Sequence, residues 1–172
     1  IINFLRWEGN SMIYLDNAAT SFPKPQCVPR AVCDYFLKIG ANAGRGGYKA
    51  SSYATELLYC ARESVSKIIG NSNPEQLVFT KNATESLNIA IRSCVKYGDR
   101  VVITPMEHNS VIRPLNRLKS VITRLPLDED GSCNIRALET AITPNTALVI
   151  INHASNVSGI INDIEKATEI CK

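Results

Sequence analysis

Three polar stretches of this chain carry the side chains best suited to chemistry. In Thr80-Lys81-Asn82-Ala83-Thr84-Glu85-Ser86-Leu87-Asn88, Asn82 can cap a helix, and Glu85, three residues on, can reach back to it. The free N–H groups near Ala83 and Thr84, with the Thr84 hydroxyl, would then cradle an anion at the positive end of that helix; an ordinary capping box explains the same residues. In Thr104-Pro105-Met106-Glu107-His108-Asn109-Ser110, His108 is one of only 2 histidines. Its imidazole can stack on an aromatic ligand, shuttle a proton or satisfy a local hydrogen bond. Glu107 reads as a solvated carboxylate at a helix start. The third stretch, Asn152-His153-Ala154-Ser155-Asn156-Val157-Ser158-Gly159, offers amide and hydroxyl groups before a small-residue turn. An ordinary loop fits it equally well, and His153 reads as a hydrogen-bonded structural histidine.

The elements that must position these stretches follow from hydrophobic spacing. After an irregular opening, Met12 to Leu15 reads as extended, followed by the turn-prone Asp16 to Thr20 and a loop punctuated by Pro23 and Pro25. Val28, Val32, Tyr35, Phe36 and Ile39 share a helical stripe, with Gly40 placed as its C-terminal cap. The Gly-rich loop Gly44-Arg45-Gly46-Gly47 leads to a second helix, about Ser52 to Ile69, with Leu57, Leu58, Ala61, Val65 and Ile68 on its inner face. From there strands expected at Leu77–Phe79, Val101–Ile103, Val121–Ile122 and Ala147–Ile151 alternate with helices near Ala83–Val95, Ser110–Leu118, Ile135–Ile142 and Asp163–Cys171. Such alternation predicts an α/β fold with a mostly parallel sheet flanked by helices. Ligands of open α/β sheets sit beyond the carboxyl ends of the strands, where the three polar stretches fall. Together they suggest a pocket for a planar, phosphorylated ligand. The P-loop and dinucleotide glycine patterns are absent.

Composition narrows the classes. The chain has 172 residues, 45% of them hydrophobic and 20% charged, enough to bury a core without disulfides or metal. A net charge of +3 is too mild to imply nucleic acid or an anionic membrane as partner. No apolar run approaches the ~18 residues of a membrane span, and no signal peptide is legible at the N-terminus. Cys27, Cys33, Cys60, Cys94, Cys133 and Cys171 are widely spaced, without a Cys-x-x-Cys pair. Buried free thiols in a reducing, cytoplasmic compartment are expected, with neither a disulfide framework nor a metal site.

Five segments in register carry a resemblance: Tyr14-Leu15-Asp16-Asn17-Ala18-Ala19-Thr20, Gly44-Arg45-Gly46-Gly47, Phe79 through Asn88, Met106-Glu107-His108-Asn109-Ser110 and His153 through Gly159. From Met12 to Lys172 the chain resembles the N-terminal part of class-V aminotransferase-fold enzymes, most closely the cysteine desulfurase/selenocysteine lyase group. The resemblance implies the first portion of a fold type I pyridoxal-phosphate enzyme with its sheet incomplete. Residues 1–11 are an extension outside it, 12–70 an N-terminal loop and helical segment, and 71–172 the first part of the cofactor-binding α/β domain.

By resemblance Ala83 and Thr84 hold the phosphate of pyridoxal phosphate, His108 stacks on its ring, Asn156 bonds its phenolic oxygen, and Asn17 and Ala18 border the substrate carboxylate. The implied reaction removes sulfur from L-cysteine, or selenium from selenocysteine, leaving alanine and, with cysteine, an enzyme persulfide, in a homodimeric enzyme. Tyr48 stands where relatives commonly carry His, which puts an acid/base role there in doubt, and Ser158 where Thr is frequent. The Schiff-base lysine, the aspartate that pairs the ring nitrogen, the substrate-binding arginine and the nucleophilic cysteine are all expected beyond Lys172. No catalytic residue is therefore assigned here, and the chain by itself is expected to be inactive. A non-catalytic module that keeps the phosphate cradle, or another class-V aminotransferase activity, is the competing reading.

Overall fold

Three consecutive apolar residues, Val101-Val102-Ile103, organise the C-terminal part of the molecule, because a strand buried on both faces needs no polar alternation. The computed structural model describes residues 4–7, 10–44 and 46–172. These divide into two compact units, Ile1–Phe79 and Thr80–Lys172.

In the second unit, β3 (Arg100–Ile103) is central, with β4 (Val121–Arg124) and β5 (Thr146–Ile150) parallel on either side. Successive side chains point to opposite faces. Val101 and Ile103 accordingly pack with Ile91, Val95, Val111 and Leu115 from α3 (Ala83–Cys94), α4 (Asn109–Arg117) and the residue after α3. Val102 packs on the other side with Leu125, Cys133, Ile135, Leu138 and Ala167, beneath α5 (Leu138–Ala141) and α6 (Ile164–Ile170). The result is a three-layer α/β arrangement. Among the described residues β4 and β5 each pair with β3 alone, which agrees with the expected incomplete parallel sheet.

The first unit contains an antiparallel pair, β1 (Phe4–Trp7) and β2 (Asn10–Ile13), where an irregular opening is expected; residues 1–3, 8 and 9 lie outside the described residues. Two helices follow, α1 (Cys27–Lys38) and α2 (Lys49–Ile68). Gly40 does end α1: at φ +52° it turns the chain into the left-handed region and donates its N–H to the Tyr35 carbonyl at 2.9 Å. Of the Gly-rich loop, Arg45 lies outside the described residues, and the Gly44 N–H donates to Thr55 Oγ1 at 2.9 Å.

Four expectations are corrected. Leu77–Phe79 is no strand: after a single 3-10 turn at Pro74–Gln76 the segment has no ladder partner among the described residues, and Val78 and Phe79 are exposed. An apolar run becomes a strand only where another strand pairs with it. The apolar stripe of α1 leaves Val28, Val32 and Phe36 exposed, and α2 buries Ser51, Ala54 and Ser66 rather than Leu57, Leu58 and Ile68. The thiols are free as expected but not generally buried. Cys27, Cys33, Cys60, Cys94 and Cys171 are exposed on or beside helices, and only Cys133 is buried among them. The Ile135–Ile142 helix is shorter than its pattern implies, a 3-10 turn (Ile135–Ala137) passing into the single turn of α5.

Candidate functional site

The start of α3 is built by its own side chains. Asn82, extended at φ −168°, accepts the Glu85 N–H on Oδ1 at 2.9 Å. Glu85 Oε2 accepts the N–H of Lys81 at 2.8 Å, one residue further back than the capping-box expectation places it. Thr80 Oγ1 donates to the Asn82 carbonyl at 2.9 Å and lies 2.6 Å from Ser86 Oγ, which braces the turn. With the Glu85 N–H on Asn82 Oδ1 and the Ser86 N–H on the Asn82 carbonyl at 3.2 Å, the N–H groups of Ala83 and Thr84 meet no protein acceptor among the described residues. Two unpaired donors at the positive end of a 12-residue helix are able to receive an anion.

The turn after β3 places His108 as the cap of α4. Its Nδ1 accepts the Ser110 N–H at 3.1 Å and lies 2.8 Å from Ser110 Oγ, and Ser110 is buried. An Nδ1 that accepts leaves the proton of the neutral ring on Nε2. Glu107 is not the solvated carboxylate its position suggests. It is half-buried and accepts the hydroxyl of buried Thr104, and burial outweighs that bond, raising its pKa above the usual carboxylate range.

Packing of α3 on α4 brings Thr84 and His108 together. With Asn88, Asn109, Ser110, Arg113, Pro114 and Arg117 they line a cleft of about 230 Å³. Neither Arg113 nor Arg117 has an ion-pair partner among the described residues, and both are exposed. These guanidinium groups escape the sequence reading, although their i, i+4 spacing puts them on one face of α4. The cleft is thus rich in donors and positive charge.

Asn156 lies outside that lining. It is exposed in the loop after β5, where buried Ser155 accepts the N–H groups of Val157 and Ser158 at 3.2 Å each, on Oγ. Exposed His153 bonds through its carbonyl, which accepts the Asn162 N–H at 2.8 Å. Asn17 and Ala18 belong to the first unit. Both are exposed, and Asn17 Oδ1 accepts the Phe22 N–H at 3.2 Å. Tyr14 closes the same turn by donating its hydroxyl to the carbonyls of Asp16 and Thr20 at 3.0 and 2.8 Å.

A donor-rich cleft between α3 and α4 suits a phosphorylated or carboxylated ligand, and comparison with known proteins narrows the class. The chain is 37% identical over 170 residues to a "Probable cysteine desulfurase" of Halalkalibacterium halodurans, covering 94% of this chain and 42% of that protein. It is 34% identical to the "Cysteine desulfurase SufS" of Plasmodium falciparum, covering 92% of this chain and 31% of the relative. An apo cysteine desulfurase structure from Thermococcus onnurineus superposes with a TM-score of 0.81 at 35% identity, over 91% of this chain and 40% of that one. SspA, solved in complex with cysteine, gives 0.82 at 27% identity, over 92% and 47%. The chain therefore spans less than half the length of each of these proteins. The sequence pattern of the class-V aminotransferases matches residues 13–172, and this chain belongs to that family.

Proposed function

We propose that this chain supplies the phosphate-binding part of a pyridoxal-phosphate-dependent cysteine desulfurase, which removes sulfur from L-cysteine to give alanine and an enzyme persulfide. One observation carries the reading: the unpaired N–H groups of Ala83 and Thr84 start a helix whose Thr84 shares a cleft with His108 and two free arginines. That donor set fits a dianionic phosphate, because each N–H gains a charge-assisted bond that no protein group offers it. Ala83 and Thr84 would hold the phosphate, with Arg113 and Arg117 adding positive potential. His108 would lie against the ring, steadied by Ser110 at Nδ1 and leaving Nε2 for a mobile proton. Asn156 would donate its amide to the ring's phenolic oxygen. Asn17 and Ala18 would border the substrate carboxylate. When bound, the cofactor supplies a conjugated ring that draws electron density from the substrate α-carbon. Cysteine is favoured as substrate because SspA, at 27% identity, is solved with cysteine. The assembly expected for the whole enzyme is a homodimer.

Equilibrium dialysis of the chain against pyridoxal phosphate and against pyridoxal tests the cradle. The phosphorylated form should bind at least roughly tenfold more tightly, since phosphate bonds to two helix donors contribute more than one factor of ten. Thr84→Ala should narrow the difference only by the share of its hydroxyl, because the backbone N–H groups stay, whereas His108→Ala should weaken both forms alike. Equal binding of the two aldehydes by the unmodified chain would overturn the proposal.

A further inference from the structure

Glu107 is buried further than a helix-start carboxylate needs to be. An acid there meets the helix dipole just as well in water, whereas withdrawing its charge from water is costly unless donors replace the water. One such donor is present. Thr104, 2% exposed and directly after β3, gives its hydroxyl to Glu107 Oε1. The Thr104 Oγ1 in turn accepts the Asn152 N–H at 3.2 Å. Asn152 opens the loop after β5, and its carbonyl accepts Asn162 Nδ2 at 2.7 Å; Asn162 Oδ1 then accepts the Cys133 N–H at 2.9 Å. A continuous polar chain therefore joins the loop that ends at His108 to the loop that carries Asn156.

We propose that Glu107 is a positioning residue: by accepting the Thr104 hydroxyl proton its carboxylate turns that oxygen's lone pair to the Asn152 N–H, so that the Thr104 hydroxyl pins the loop after β3 to the loop after β5 and fixes His108 relative to Asn156. The pin stands on the hydrogen bonds themselves. Only its consequence for the cofactor rests on the function proposed above. The residue before His108 loses freedom once its side chain is held by the Thr104 hydroxyl, and Asn152 is only four positions before Asn156.

The test reads the far loop, because a change next to His108 moves its signals trivially. In the ligand-free 172-residue chain, hydrogen exchange at the Asn152 N–H and the side-chain amide resonances of Asn156 are compared for the unmodified protein, Glu107→Ala, Glu107→Gln and Thr104→Val. Glu107→Ala and Thr104→Val should speed exchange at Asn152 by roughly tenfold and shift the Asn156 amide, since each removes a bond from the pin. Glu107→Gln keeps an acceptor in place and should restore both readouts to within about twofold. Pyridoxal phosphate affinity should follow the same order. Should Glu107→Ala fail to fold, Thr104→Val carries the same prediction from three residues further back. Unchanged Asn152 exchange and Asn156 resonances in a folded Thr104→Val or Glu107→Ala protein overturn the pin. If the far loop responds while no variant, nor the unmodified chain, binds pyridoxal phosphate, the pin stands and the cofactor reading falls.

Discussion

Replacing Asn82 with Ala removes the acceptor of the Glu85 N–H, 2.9 Å away, from the first turn of α3. Loss of such a cap costs about 0.5–2 kcal/mol, and the exposure of this bond to water favours about 1 kcal/mol. With a urea dependence of about 1–3 kcal/mol/M, the unfolding midpoint should fall by roughly 0.3–1 M. Asn82→Gly should lose only a few tenths of a kcal/mol, about the difference expected when Gly takes a cap position. The effect on ligand binding is bounded by the same figure. Asn82 lies outside the cleft lining, and its Oδ1 stiffens the turn that presents the Ala83 and Thr84 N–H groups. A turn loosened by about 1 kcal/mol can weaken pyridoxal phosphate binding by at most about fivefold. Urea titrations followed by far-ultraviolet circular dichroism, with dialysis on the same samples, give both numbers. A drop in affinity far beyond fivefold with an unmoved midpoint would refute the reasoning, because Asn82 would then be touching the ligand rather than holding the helix.

Two other outcomes follow from burial. In the native chain a small alkylating reagent should modify the five exposed cysteines and spare Cys133, whose thiol is pushed up to about 11 by burial and by the nearby carboxylates of Asp128 and Glu107; mass spectrometry showing Cys133 labelled as fast as the others would contradict the core position given to it. The raised pKa of Glu107 means that the folded state keeps its proton where the unfolded chain has already lost it. Above the ordinary value of 4.5 the native state thus binds more protons, and this residue's contribution to stability falls as pH rises through the folded pKa. Asp130 acts with the opposite sign, since its bonds to Ser132 hold its carboxyl below the usual range. The urea midpoint of Glu107→Gln compared with the unmodified chain across that interval isolates Glu107. Parallel curves would show that its carboxyl is not buried.

What is legible in the sequence is what depends on near neighbours. The cap of α3 can be read from Asn82 and Glu85 because the rule spans three residues, and the apolar run of β3 announces a strand covered on both sides. The environment of Glu107 cannot be read in this way. Its partner Thr104 is close, but the second anchor, Asn152, arrives only when β5 lies beside β3. Leu77–Phe79 misleads for the complementary reason: its pattern is that of a strand, and pairing is decided elsewhere in the structure. The thiols mislead because Cys is compatible with either side of a helix, so periodicity does not decide which face it takes. Arg113 and Arg117 are visible as an i, i+4 pair, yet nothing local says that α3 will bring Thr84 and Asn88 against them.

The placement of the polar network follows from the end of the sheet. Val101, Val102 and Ile103 are buried by helices on both faces, and the next residue, Thr104, is equally buried although it carries a hydroxyl. At that level the ladder still takes the Thr104 N–H, which donates to the Ile150 carbonyl at 3.1 Å, but the side chain has left the apolar layers. A buried hydroxyl without partners would be costly, so the chain must bring an acceptor and a donor to it. Glu107 and the Asn152 N–H meet that need, and because they come from two different loops, pairing the hydroxyl also ties those loops together. A valine at 104 would keep the volume and relieve the core of a polar group, yet it would leave the two loops unjoined. The hydroxyl is thus better explained by the spacing of the loops beyond the sheet than by the stability of the sheet itself.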